Sequence, residues 1–313
     1  MSFLSPNKLS ALLITLCTFV TILSGCAKET VATTKPKDSV LVSIAPQKFL
    51  VEKIAGNTLE VYLLVPPGVS PHSFEPTPKQ ILKTIDAGVW FRIGESFEPR
   101  VLRVLKNHNP GLVIIDTRQG IDLMVSSHSH AHDEHCDHDH HHHDHASAHA
   151  DELDSHIWLS PKLTKTQAET ITTALSAYKP EHQELYKENL AKLLQELDTL
   201  DTEITAILAH TENRTFITPH PAFAYFCRDY GLKELSLEIS GKEIGPQQLT
   251  HLLKECRAEK VSCALLLQPY NNKGTQRIAH ELNARTTMVD PYSEQYFETL
   301  KAIAIHIATD TSS

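Results

Sequence analysis

Histidine carries most of the chemistry available to this chain. Of its 20 histidines, eleven fall between His128 and His149, interleaved with Asp133, Glu134, Asp137, Asp139 and Asp144. Apart from Cys136, that tract has no apolar side chain larger than alanine. It cannot pack a core, and such a composition predicts disorder without ligand. Neutral imidazole is a good ligand for zinc, copper, nickel and iron. Many imidazoles on one loop would capture metal weakly and exchange it fast. A solvated low-complexity insert is the plainer alternative, but metal binding is the stronger reading of so dense a tract.

Nine histidines lie outside the tract. His72 lies in the loop 66–76, after a predicted strand over 59–65. His156 directly follows the tract, and His220 follows a predicted strand over Thr215–Thr218. Asp290 follows a predicted strand over 286–289. In open α/β sheets, ligands bind beyond the carboxyl ends of strands. Three imidazoles and one carboxylate form a tetrahedral set suited to zinc, with Zn–N near ~2.0–2.1 Å. Any one of these residues alone could equally cap or pack. The four together share one kind of position, which points to one site. His108, His182, His210, His251, His280 and His306 fall in or beside helical patterns and read as surface residues.

The elements that must position these groups alternate. Predicted strands cover 40–45, 59–65, 89–93 and 112–115, with helices over 47–55, 77–87 and 98–107 between them. Thr77 is placed as an N-cap, with Pro78 at the first helical position. The second half repeats the pattern. Its strands are Thr215–Thr218, 234–238, 264–268 and 286–289, and its helices are 222–230, 246–259, 275–283 and 294–308. Such alternation implies parallel sheets covered by helices. Between the halves lies the stretch 161–211. Its second part carries Leu190, Leu193, Leu194, Leu197, Leu200, Ile204, Ile207 and Leu208 at steps of three and four, the spacing of one helix face. Lys187, Glu188, Lys192, Glu196 and Asp201 occupy the other face. Pro180 and Glu181 suit the first turn. A helix of about 30 residues would reach roughly 45 Å. The fold class expected is α/β: two lobes, each a mainly parallel sheet flanked by helices, joined by one long rigid helix. The lobes are 39–160, including the His-rich loop 128–149, and 212–313, with 161–211 linking them.

The net charge of −9 argues against a nucleic-acid partner. No dinucleotide fingerprint or P-loop is present. Residues 1–25 read as a signal peptide: Lys8 supplies a positive start, and an apolar run follows that is too short for a membrane span. Leu23-Ser24-Gly25-Cys26 resembles the lipobox of bacterial lipoproteins, in which the cysteine is lipidated. Residues 26–38 then form a tether. Export would permit disulfides among Cys136, Cys227, Cys256 and Cys263, for which three full pairings exist. Cys256 and Cys263 could meet, and buried free thiols are the equal alternative.

Four segments carry a more specific likeness. They are Gly68-Val-Ser-Pro-His72-Ser-Phe-Glu-Pro76, Asp154-Ser-His156-Ile-Trp-Leu-Ser-Pro161, Pro219-His220-Pro-Ala-Phe-Ala-Tyr-Phe-Cys-Arg-Asp-Tyr-Gly231 and Val289-Asp290-Pro291. They resemble the metal-binding proteins of bacterial ABC importers, and most closely the ZnuA-like zinc branch. The likeness implies His72, His156, His220 and Asp290 as metal ligands, although water or another acid replaces the aspartate in some zinc members. It implies a His-rich loop at 128–149. Ser155 stands where the family often has proline, which affects the backbone before His156 but not the ligand. Members that take manganese often carry glutamate at the position of His220.

The function expected is a lipid-anchored, extracytoplasmic carrier, monomeric and not an enzyme. It would deliver Zn2+ to an ABC importer permease in the membrane. A manganese or iron carrier is the alternative. A zinc-dependent hydrolase would need an open metal position and a general base, for which Glu75 or Glu98 could be imagined. No HExxH pattern or nucleophile elbow accompanies them. An adhesin or metal buffer, with the His tract as its working part, is a third class.

Overall fold

The computed structural model describes residues 38–125, 153–239 and 242–309. The signal segment, Cys26, most of the tether and the His-rich tract lie outside the described residues. The first sheet consists of β1 (Ser39–Val42), β2 (Glu60–Leu63), β3 (Val89–Arg92) and β4 (Val113–Asp116), in the order β2-β1-β3-β4, all parallel. β1 and the Val89–Phe91 part of β3 are buried on both faces. This is why they read as short apolar runs rather than alternating ones. α1 (Ala45–Ala55), α2 (Pro78–Leu82) and α3 (Glu98–His108) connect these strands.

α2 begins with the expected cap: Gln80 N donates to Thr77 Oγ1, and Thr77 N donates back to Gln80 Oε1. It ends earlier than its sequence suggests. The Thr84 hydroxyl bonds Ile81 O at 2.8 Å, the kind of local side-chain bond that competes with helix continuation.

The linking segment holds two helices, of which the second is the expected long one. α4 (Pro161–Tyr178) ends before Pro180, and a single 3-10 turn over Pro180–His182 leads into α5 (Gln183–Leu208). Proline disfavours helical geometry in the residue before it, and Lys179 is accordingly at φ −132°, ψ 74°. α4 folds back antiparallel along α5, pairing Lys165 with Asp198 and Lys162 with Asp201. The long helix itself has 26 residues, about 39 Å at 1.5 Å per residue. Its buried face is Tyr186, Leu193, Leu197, Leu200, Ile204 and Leu208.

The second sheet is made of β5 (Thr215–Thr218), β6 (Lys233–Ser236), β9 (Cys263–Leu267) and β10 (Arg285–Val289). Its order is β10-β9-β5-β6, again all parallel. A two-residue antiparallel pair, β7 (Glu238–Ile239) and β8 (Lys242–Glu243), follows β6. The helices are α6 (Ala224–Tyr230), α7 (Pro246–Ala258), α8 (Lys273–Leu282) and α9 (Tyr296–Ala308). α5 packs on α1 from the first lobe and on α9 from the second.

The main apolar core runs through both lobes. Phe49 stacks on Tyr296 at 5.3 Å, Trp158 Nε1 donates to Pro291 O at 2.8 Å, and Lys48 meets Glu294 at 2.8 Å. Among the described residues, no helix is long and apolar enough to cross a membrane. Cys227, Cys256 and Cys263 are buried free thiols, and Cys136 is outside the described residues. Of the histidines read as surface residues, His108, His210, His251 and His280 are exposed. His182 and His306 are half-buried. His306 sits on α9 with its Nε2 inside the protein, and burial lowers its pKa.

Candidate metal centre

Three loop segments, two of them beyond the ends of β2 and β5 and one at the entry to α4, bring three imidazoles together. His72 lies on a single 3-10 turn, Pro71–Ser73, beyond β2. Its neighbour Phe74 is anchored edge-on against Phe97, with ring centroids 5.2 Å apart. His156 precedes a second 3-10 turn, Ile157–Leu159, which leads directly into α4, where the Ser160 hydroxyl caps Leu163 N at 3.1 Å. His220 follows β5 between two prolines. His156 and His220 are buried, whereas the His72 side chain is about a third exposed.

The Nε2 atoms of His72 and His156 are 3.2 Å apart. One ligand nitrogen from each of the three rings lies within 4.8 Å of the others. Bonds of about 2.0–2.1 Å to a tetrahedral ion put donor atoms roughly 3.3 Å apart, so the cluster is close to the size such an ion requires. Among the described residues, these three form the group spaced to hold a metal.

Each imidazole has its own carboxylate. His72 Nδ1 faces Glu95 Oε2 at 3.2 Å, His156 Nδ1 faces Asp154 Oδ1 at 2.7 Å, and His220 Nδ1 faces Glu238 Oε2 at 2.9 Å. An ionised carboxylate only accepts, so each Nδ1 carries the proton and each Nε2 presents a lone pair. Two such lone pairs 3.2 Å apart repel one another unless a cation lies near both. The arrangement is therefore that of a cation site. Burial, reinforced by the neighbouring imidazoles, lowers the His220 pKa to about 4, so the ring is neutral and ready to ligate at neutral pH. Burial alone would raise the pKa of Glu95. The hydrogen bonds from His72 and Ser155 and the electrostatic pull of the neighbouring imidazoles outweigh burial and hold it below its ordinary value.

Two further carboxylates brace the loops. Glu98 is fully buried and accepts from Ser43 Oγ (2.6 Å), Ile93 N (2.9 Å), Gly94 N (2.9 Å) and Arg92 Nε (3.0 Å). It thereby fixes the turn that carries Glu95. Glu234 accepts from Thr218 Oγ1, Ala222 N and Phe223 N, spanning the loop that carries His220. Burial pushes its pKa up to about 7 despite these donors. Glu75 is exposed and paired with Arg100. Neither Glu75 nor Glu98 stands as a free base.

Asp290 is placed beyond β10 and half-buried, with Oδ1 accepting from Tyr292 N at 2.9 Å. Its carboxylate lies outside the histidine cluster. Instead the Tyr292 hydroxyl reaches the cluster, donating to His72 Nε2 at 3.5 Å. Sequence reasoning missed Glu95, Glu238 and Tyr292. Asp154 stood inside a quoted motif two residues from His156 without a role assigned. Glu95 could have been found from its position just beyond β3. Glu238, on a two-residue strand 18 residues past His220, leaves no comparable signal.

Two parallel-sheet lobes around three carboxylate-backed imidazoles define a metal-binding protein of the solute-binding class. The chain belongs to the ZnuA family, described as zinc-uptake complex component A, periplasmic, which matches residues 40–309. Its members are transport proteins that bind a metal ion and work with ABC importer permeases, and they are not enzymes. A Chlamydia muridarum chain named provisionally as a metal-binding protein is 35% identical over 270 residues, covering 86% of this chain and 90% of its own length. The zinc-binding protein AdcA of Streptococcus pyogenes is 30% identical over 85% of this chain, which spans about half (52%) of AdcA. A solved ZnuA internal-deletion mutant with zinc bound superposes with a TM-score of 0.77 at 33% identity, covering 88% of this chain and 98% of the other.

Proposed function

We propose that this protein captures zinc in the histidine cluster and delivers it to an ABC importer permease. The observation that carries the reading is the convergence of three Nε2 lone pairs, each backed by a carboxylate on Nδ1. Three nitrogens suit zinc, whereas manganese favours oxygen ligands. The name of AdcA and the zinc-bound ZnuA mutant support the same metal. Asp290 joins as the fourth ligand by turning its carboxylate from Tyr292 N toward the cluster. Residues 1–25 are removed, Cys26 is lipidated, and 26–38 tether a monomeric carrier outside the cytoplasm. The tract 128–149 collects ions near the site without forming the tight one. The domain boundaries that fit this reading are 39–160, 161–211 and 212–313.

Metal analysis of purified protein, with and without residues 128–149, tests the assignment. One tight zinc ion is expected in both forms, held in four-coordinate, nitrogen-dominated geometry and kept in competition with manganese at equal free metal. His220→Ala should weaken binding at least tenfold, in line with the sensitivity of metal sites even to outer-shell losses. Full tight binding by that variant, or six-coordinate oxygen-rich ligation in the unaltered protein, would overturn the reading. Permease-dependent uptake separates a carrier from a buffer.

A further inference from the structure

We propose that Tyr292, backed by Tyr270, determines metal specificity by limiting how many donors the ion can take beyond the three imidazoles. The proposal rests on the zinc-carrier reading and adds a residue to it. The Tyr292 hydroxyl lies 3.5 Å from His72 Nε2, and His156 Nε2 lies 3.2 Å from the same atom. Both separations are close to the roughly 3.3 Å between neighbouring donors around a tetrahedral ion. The hydroxyl therefore stands beside a corner of the coordination sphere that the three histidines leave unfilled.

That position is held from several directions. Tyr292 is 8% exposed, its backbone N–H is tied to Asp290, and its ring lies 5.3 Å from Trp158. Its hydroxyl is 3.1 Å from the Tyr270 hydroxyl. The Tyr270 ring in turn lies flat on His220, with centroids 4.5 Å apart and planes at 12°. Asn272 clamps the Tyr270 loop, accepting from Leu267 N and donating to Tyr270 O. The two tyrosines thus form a fixed wall from His220 to His72.

A wall at this distance narrows the space on its side of the cluster and so leaves less room there for the additional waters of a six-coordinate ion. Zinc in four-coordination loses nothing by it. Manganese, which prefers octahedral oxygen ligation, loses ligands. Specificity then has two sources: the nitrogen ligands, and the hydroxyl that blocks expansion of the sphere.

Tyr292→Phe keeps the ring and removes the hydroxyl, so water can approach beside His72. Cobalt(II) is a suitable probe, because its visible absorption is intense when four-coordinate and weak when six-coordinate. In the unaltered protein the intense spectrum is expected. In Tyr292→Phe the spectrum should weaken, and the zinc-to-manganese affinity ratio should fall about tenfold, the lower end for losing an outer-shell partner. Tyr270→Phe should shift both readouts in the same direction and by less. An unchanged spectrum and ratio in Tyr292→Phe would overturn the inference while leaving the zinc site intact. A weak spectrum in the unaltered protein would instead remove the reading on which it rests.

Discussion

Each imidazole of the cluster has one nitrogen held by a carboxylate, which on the proposed reading turns the other toward the metal. The carboxylates are therefore as much a part of the site as the rings. Glu238→Gln should lower zinc affinity about 10- to 100-fold with the fold intact, read by competition against a chelator; unchanged affinity would mean that β7 does not orient His220. The buried His220 also makes metal-free stability depend on acid. Its folded-state pKa, about 4, lies below the ordinary 6.5, so the unfolded chain binds that proton more readily. The contribution is complete above about pH 6.5 and is lost as pH falls toward about 4. Urea midpoints in chelator should drop across that window, and less steeply in His220→Gln. Equal slopes for the two proteins would refute the link. At this scale the sequence was legible where position followed a rule. His72 and His220 lie beyond strand ends, and His156 lies just before the helical stretch. Asp290 shares the strand-end placement, yet its side chain points to its own loop, a choice of rotamer that no spacing encodes.

Among the elements, the helical hairpin decides how far the lobes can move. α5 touches α1 on one side and α9 on the other, and there is no glycine between Pro161 and His210. A helix clamped in this way transmits force rather than bending. Small-angle scattering should therefore give nearly the same radius with and without zinc, with differences confined to the loops carrying His72 and His220. A wide apo opening would contradict this. Leu197 is fully buried in the centre of α5, and Leu197→Ala should cost about 2–5 kcal/mol, measurable by denaturant unfolding. The period of α5 was plain in its leucines. Pro180 already marked the start of the long helix in the sequence, but no spacing showed that α4 before it folds back along α5. The central strands β1, β3, β5 and β9 were legible because both faces are covered, which writes them as compact apolar runs. β7 and β8, at two residues each, are too short to leave a pattern.

For the whole molecule, the site joins segments far apart in sequence: His72 and His156 are separated by 84 positions. An ion that binds the folded protein alone adds about 4 kcal/mol of stability at a thousandfold excess over its dissociation constant. Calorimetry should show zinc raising the melting temperature, and His220→Ala should remove most of the rise. A further consequence follows from the stacking of Phe49 on Tyr296. The first described helix meets the last, so α1 keeps an uncovered apolar flank until the carboxyl-terminal helix arrives. A chain made from its amino end therefore meets the last packing partner of α1 only when its final helix is complete.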